Sequence, residues 1–375
     1  MAGIYIHIPF CKQACTYCNF HFSTSMLQKD GLLNAINNEI LLTPLFSEAE
    51  NIHTIYIGGG TPSLLASREL ENILASIHKK FNVADDAEIT LEANPDDINK
   101  AVLFEWKKIG INRLSLGVQS FVETELRWMN RAHQASQSLQ SIDDIMEAGY
   151  SNFSVDLIYG SPLLSDDDLI NNLQIIFSKN IPHISCYALT VEPKTALDKM
   201  IGQKNSLPVD PEKQSAQFLM IMQMMKDHGY EHYEISNFAK PSFRSIHNSN
   251  YWHGKPYYGF GPSAHSFDGR NKRQWNIANN SMYILSLQKG IVPLEQEILS
   301  DTQRLNEYIM ISLRTIEGIN LEIIKSKFGI SYAKSIESQS GKYQKSGKLN
   351  LSEGKLKLTD EGKLFADGIA SDLFV

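Results

Sequence analysis

Cysteine is scarce in this chain, with four among 375 residues. That is too few for a disulfide framework, and structural disulfides are rare in the reducing cytoplasm. No apolar run is long enough to span a bilayer. The opening stretch, MAGIYIHIPF, has neither a basic region nor a long apolar region, so it reads as a first strand and not as a secretory signal. These absences imply a cytoplasmic protein. Excess positive charge is also missing. The net charge is −7, which disfavours a general nucleic-acid binder, and no nucleic-acid partner is expected. Residues 325–363 run against this, with nine lysines and only four carboxylates; a solvated face explains them best. Composition is otherwise ordinary for a globular chain, with 42% hydrophobic and 21% charged residues.

What is present is an alternation of strand-like and helix-like stretches. Strands are expected over 3–10, 53–59, 88–94, 111–118, 152–160 and 183–190. Amphipathic helical stretches fall between them, as at 32–42, 69–81 and 168–178. This pattern gives βαβ units, a parallel sheet and an α/β fold. Gly110, Gly149 and Gly229 each follow a helix and precede a strand, an internal echo that suggests repeated βα modules. Six modules make an open, partial (β/α)6 barrel, in which ligands gather at the carboxyl ends of the strands. Beyond residue 290 the pattern changes to helices at 301–315, 320–328 and 332–340. A hairpin turning near Glu353-Gly354 and a last helix from Asp360 follow. That order is winged-helix-like. The expected division is 1–290 and 291–375, with the linker at 290–296.

Three of the four cysteines, Cys11, Cys15 and Cys18, lie within eight residues as C-x3-C-x2-C. Thiolates suit iron–sulfur clusters and zinc. Three on one loop can hold three corners of a cubane cluster and leave the fourth iron open, which is what a reactive site requires. Such an iron can take the amino and carboxylate groups of S-adenosylmethionine. Spacing alone leaves two alternatives: a Cys3His zinc site completed by His21, or three unrelated thiols. Cys186, in an apolar strand, reads as a small buried side chain.

The cysteine spacing, with Tyr17 just before the last cysteine, resembles the radical S-adenosylmethionine superfamily. YIHIPFC, GGGTPS, LGVQSF and DLIYG, in that order, further resemble its branch of oxygen-independent coproporphyrinogen oxidases and HemW haem chaperones. The resemblance covers most of the chain, tail module included. It implies a [4Fe–4S] cluster on Cys11, Cys15 and Cys18, and S-adenosylmethionine held by several strand-end residues. Gly59, Gly60 and Thr61 lie on the loop that holds the methionine amino group. Glu92 faces the ribose diol, Gln119, Arg131 and Asp156 surround the nucleoside, and Tyr5 packs beside the adenine. Each has a plainer reading, as a turn, a strand end or a structural ion pair. Asp156 is costly in an apolar strand unless paired, and Arg131 is the expected partner.

The segment from His247 to Phe267 interleaves histidine, tyrosine, tryptophan and phenylalanine with glycine. It suits a large flat ligand with carboxylates at its edge, or else simply packs the sheet edge. Its H-N-x-x-Y-W resembles the haem-associated motif of the HemW branch, which implies His247 as the axial haem ligand, with His253 and His265 behind it. The oxidase branch carries a further cysteine where this chain has Asn19-Phe20, and an extension ahead of its first strand. Both differences favour the haem-chaperone branch. The expected partners are haem, apo-haemoproteins, an electron donor such as a flavodoxin or ferredoxin, and a second copy in a homodimer. The competing functions are coproporphyrinogen III oxidation by radical chemistry, and a zinc-stabilised module whose basic tail touches nucleic acid.

Overall fold

The computed structural model describes residues 2–46 and 51–375. Six strands form the centre of one large sheet: β1 Ala2–Ile8, β2 Asn51–Gly59, β3 Asn82–Ala93, β4 Arg113–Gln119, β5 Phe153–Tyr159 and β6 His183–Ala188. They pair in chain order and all in parallel. Helices fill the connections, including Lys29–Leu42, Ser67–Lys80, Ala135–Glu147 and Asp166–Ser178. Ile4, Ile6, Ile8, Ile55 and Ile57 are inaccessible to solvent, as expected of parallel strands covered on both faces. Gly110, Gly149 and Gly229 have positive φ, the left-handed conformation that ends each helix without a Cβ clash.

The sheet extends further than the alternating pattern indicates. Beyond β6 lie β7 Glu231–Glu234 and β8 Asn237–Ala239, both antiparallel. Beyond β1 lie β9 Tyr257–Phe260, parallel to β1, and then antiparallel β10 His265–Phe267, β11 Lys272–Asn276 and β12 Leu294–Ile298. The two outer strands do not pair with each other, so the sheet stays open. Part of the expected linker is thus a strand: Leu294–Ile298 pairs residue by residue with β11. Its polar, exposed alternation suits an edge strand, and the same polarity makes it read as a linker.

After β12 a separate apolar core forms around Leu305, Ile309, Ile324, Ile336, Leu356 and Ile369. The helices Asp301–Leu313, Leu321–Lys327 and Ile330–Lys345 surround it. A small sheet completes it, made of β13 Ile319–Asn320, β14 Leu349–Ser352 and β15 Lys355–Leu358. Glu353 and Gly354 both have positive φ, as a two-residue hairpin turn requires. The module docks on the main sheet through backbone bonds from Ile235 N to Arg314 O (3.0 Å) and from Ile316 N to Tyr233 O (3.0 Å). Arg273 of β11 also grips Glu307 with both terminal nitrogens, at 2.8 and 2.9 Å.

The helix that follows the cysteine segment is tied to this extended edge by one buried carboxylate. Glu39 accepts from Tyr283 Oη, Gly261 N (2.9 Å) and Asn276 Nδ2 (2.6 Å). Among the described residues no cation is paired with it, and burial pushes its pKa up to about 7. An exposed glutamate titrates at about 4.3, so the folded state binds the extra proton between roughly pH 4.5 and 7. Stability is therefore lost as pH rises through that window. Glu39→Gln cannot ionise. The melting temperature of the variant, relative to the parent, is expected to rise between about pH 5 and pH 8. A difference that stays constant with pH would contradict this.

Candidate functional site

The carboxyl ends of β1 to β5 converge on one region. The segment after β1 carries the three cysteines. It is pinned by Cys11 N to Ser23 O (3.0 Å), Thr16 N to Met129 O (3.0 Å) and Asn130 Nδ2 to Ala14 O (2.7 Å). Lys12 adds ion pairs to Asp96 (2.6 Å) and Asp97. The three thiols are partly buried and not joined in disulfides. Burial, together with the neighbouring thiols, pushes Cys11 up to about 11, and burial also raises Cys18. The Arg131 guanidinium donates to Cys15 Sγ at 3.3 Å. Three soft sulfur donors on one short segment are the donor type that suits a metal cluster.

His21 does not join the cysteines. Its Nε2 meets Asn280 Oδ1 at 2.8 Å, and its backbone carbonyl accepts from His7 Nε2 at 2.9 Å. Among the described residues no three His, Cys, Asp or Glu side chains converge as ligands of a single metal ion. With its Nε2 engaged by Asn280, His21 is not placed as a fourth ligand to the cysteines. His21 is held toward the helix Asn280–Gln288.

The glycine run at the end of β2 is crowded by protein. A Cβ on Gly60 would lie 2.6 Å from Phe10 O, and one on Gly59 would lie 2.5 Å from His7 Nδ1. Gly59 has φ +111, which further favours glycine there. Gly60 N and Thr61 N bond to Ile8 O (2.8 Å) and Phe10 O (2.7 Å). The loop is thereby locked against the start of the cysteine segment. Glu92, half-buried at the end of β3, accepts from Tyr56 Oη (2.7 Å) and Gly59 N (3.1 Å). Burial and Asp156 push its pKa up to about 7. Tyr5 stacks on Tyr56, ring centroids 6.2 Å apart, and bonds His7 Nδ1 at 3.0 Å. Burial holds His7 down to about 4, so it is neutral. Tyr17 packs on a small apolar cluster with Met129, Ile158, Leu189 and Leu197. Gln119, the last residue of β4, is left-handed, φ 68.

Arg131 and Asp156 differ from expectation, since they do not form an ion pair. The Nη2 of Arg131 is taken by Asn94 Oδ1 (2.6 Å) and Gly117 O (2.8 Å), and its Nη1 by Cys15. Asp156 instead accepts from Ser115 Oγ at 3.3 Å and from Ser185. Asp156 Oδ1 and Arg131 Nε remain buried without a protein partner. Two orphaned polar atoms, one acceptor and one donor, fit a polar ligand lying between these strand ends.

His247 is the second departure. It is 2% exposed. Its Nδ1 meets Thr54 Oγ1 at 2.8 Å, its Nε2 meets Tyr251 Oη at 2.9 Å, and its ring stacks on Tyr56 at 5.1 Å. Both nitrogens are therefore occupied, and burial beside Arg113 holds the ring down to about 3. The expected axial ligand is an interior histidine that presents no free nitrogen. His253 and His265 are exposed, and His265 stacks on Trp275. The aromatic segment does border a cleft of about 730 Å³ against the C-terminal module. Tyr251, Trp252, Tyr257 and Phe267 line it, with Met310 and Arg314 from the facing helix and its end.

Two further residues matter that the sequence motifs do not single out. Arg113 and Glu88 form a fully buried ion pair at 3.8 Å. Glu88 also accepts from His247 N (2.9 Å) and Ile246 N (3.2 Å), fixing the start of the helix Ile246–Trp252. The cost of burying charge, applied to Asp156, applies equally to an arginine and a glutamate in strands and would have flagged them.

Residues 5–176 match the family model described as the Radical SAM superfamily, and residues 299–365 match the HemN C-terminal domain. Over 373 residues the chain is 33% identical to the "Heme chaperone HemW" of Bacillus subtilis, covering 98% of both chains. The chain belongs to the HemW family. A HemW of Mycobacterium tuberculosis is 30% identical over 377 residues, covering 99% of this chain and 94% of that one. In fold, the chain is similar to coproporphyrinogen III oxidase (HemN) from Escherichia coli, with a TM-score of 0.86 and 22% identity. The match covers 100% of this chain and 90% of that structure. At that identity the likeness speaks for the fold alone.

Proposed function

We propose that this HemW-family chain is a haem chaperone: it carries haem in the aromatic cleft and delivers it to apo-haemoproteins. The observation that carries the reading is the cleft itself. A volume of about 730 Å³ lies within the range of small-molecule and cofactor sites. Its walls offer flat aromatic faces, and Lys255 and Arg314 at its border suit the carboxylates of a porphyrin edge, while Arg273 is held by Glu307.

Cys11, Cys15 and Cys18 hold a [4Fe–4S] cluster through three thiolates. When bound, the cluster supplies one low-potential electron and an iron with a free coordination position for S-adenosylmethionine. Around it, Glu92 accepts hydrogen bonds from the ribose hydroxyls. Asp156 and Arg131 offer their unpartnered atoms to the nucleoside and methionine groups. Gly59, Gly60 and Thr61 present backbone, Gln119 closes the far side, and Tyr5 and Tyr17 wall the cofactors. The electron comes from a flavodoxin or ferredoxin. Phe20, 67% exposed beside the cysteines, gives such a donor, or a second copy of the chain, an apolar contact. Among the described residues no helix is long and apolar enough to cross a membrane, and we place the protein in the cytoplasm, where free thiols persist.

The test is titration of the anaerobically purified protein with haem, followed by mixing with an apo-haemoprotein. A saturable Soret band at one haem per chain, lost to the acceptor on mixing, is expected. No stoichiometric uptake, or vinyl-bearing product from coproporphyrinogen III with reductant and S-adenosylmethionine, would count against the carrier reading.

A further inference from the structure

This inference rests on the haem-carrier reading and concerns which atom meets the cargo's iron. The helix Ile246–Trp252 carries His247 and Tyr251 four residues apart, hence on one face. The two are joined by the 2.9 Å contact between His247 Nε2 and Tyr251 Oη, with the rings edge to face at 4.9 Å. Their surroundings differ. His247 is packed beneath, between Thr54 and Tyr56, almost without exposure. Tyr251 is a wall of the cleft, edge to face at 4.6 Å with Tyr257, another wall. Next to it Trp252 lines the same space under the Arg314 guanidinium, 5.5 Å from the ring centroid. Of the two residues, Tyr251 and not His247 lines a space that a porphyrin can enter.

We propose that Tyr251 ligates the iron of the haem cargo, and that His247 is a positioning residue that holds the ligating oxygen. Tyrosinate is a known haem ligand type and, as a hard anion, suits ferric iron. Ferric haem enters with an axial hydroxide. The bond from iron to Tyr251 Oη forms and the bond from iron to hydroxide breaks. The phenol proton leaves with the hydroxide as water. Iron stays ferric and no redox partner is needed.

His247 remains neutral throughout. With and without cargo, Nε2–H donates to the Tyr251 oxygen and Nδ1 accepts from the Thr54 hydroxyl. The same neutral tautomer therefore serves phenol and phenolate, and the Thr54–His247 pair supports both states without a buried charge. Arg314 adds a complementary feature: among the described residues its buried Nε has no partner, which leaves a donor for a cargo carboxylate.

The experiment adds ferric haem to the full-length parent, Tyr251→Phe, His247→Ala and a His253→Ala/His265→Ala double variant. Binding is read by titration, and iron ligation by resonance Raman and electron paramagnetic resonance. The parent is expected to show phenolate modes and the rhombic high-spin signal of a phenolate-bound ferric iron. Tyr251→Phe loses both. His247→Ala keeps the phenolate modes at a shifted frequency and binds roughly tenfold more weakly, as when a supporting contact is removed. Tyr251→Phe weakens binding more than that, and the double variant matches the parent. Phenolate modes absent from the haem-loaded parent, or persisting in Tyr251→Phe, overturn the assignment, as does a nitrogen-ligated spectrum lost only in His247→Ala. No stoichiometric haem uptake by the parent overturns the carrier reading, and the ligand assignment with it.

Discussion

Serine in place of any one of Cys11, Cys15 or Cys18 is expected to abolish cluster assembly, lowering iron and sulfide from about four each per chain to near zero after anaerobic reconstitution. His21→Ala is expected to keep the full complement. The contrast is sharp because the four side chains lie within eleven residues yet have different surroundings. The thiols are partly buried and form no disulfide, and Cys15 Sγ accepts from Arg131. His21 is committed to Asn280, 259 positions away in sequence. A cluster retained at full occupancy in any cysteine variant, or lost from His21→Ala, would show that the ligand set is wrong. Fold integrity is checked by circular dichroism. The cysteine segment keeps its backbone bonds to Ser23 and Met129 in each variant, so loss of metal without loss of fold is the expected pair of results.

The second large effect lies beneath the cleft. Glu88→Ala removes the carboxylate that pairs with Arg113 and strips the acceptor from His247 N and Ile246 N. Breaking a buried pair on one side leaves an uncompensated charge, a loss of about 3–5 kcal/mol. Chemical denaturation should read a loss of that size, and haem affinity should fall with it, because the helix bearing His247 and Tyr251 loses its anchor. Adding Arg113→Met to Glu88→Gln is expected to recover much of the stability. The unpaired charge is then gone, and glutamine still offers an oxygen to His247 N. A double variant no more stable than Glu88→Gln alone would place the loss in the hydrogen bonds and not in the charge.

Much of this architecture is legible from residue pattern, and the reasons are local. Six apolar strands alternating with amphipathic helices leave few arrangements other than a parallel sheet in chain order, and β1 to β6 pair that way. The tail hairpin is legible because Glu353-Gly354 supplies both left-handed positions. The strands β7 to β12 are harder to see. They are three to five residues long, and they lie among aromatic and polar residues whose spacing suits a ligand loop as well as a sheet edge. Period and length, the two signals that mark a strand, are too weak there.

At the site, residue types are legible and partners are not. Asp156 visibly needs relief in an apolar strand, but two serines supply it across β4 and β6 in place of Arg131. The glycines after β2 suggest a ligand loop, yet the atoms that forbid a side chain there belong to His7 and Phe10. For His247 the motif marks the right helix and the spacing to Tyr251 is visible. Which of the two faces open space depends on how the helix rolls against Thr54 and Tyr56, and that is a property of packing.

The most direct measurement is Mössbauer and electron–nuclear double resonance spectroscopy of the reconstituted, reduced protein, with and without isotopically labelled S-adenosylmethionine. The account predicts four irons of which one is distinct, changes on addition, and couples to the methionine nitrogen and carboxylate. Four irons that are all unaffected, or coupling from a protein side chain to the fourth iron, would contradict it.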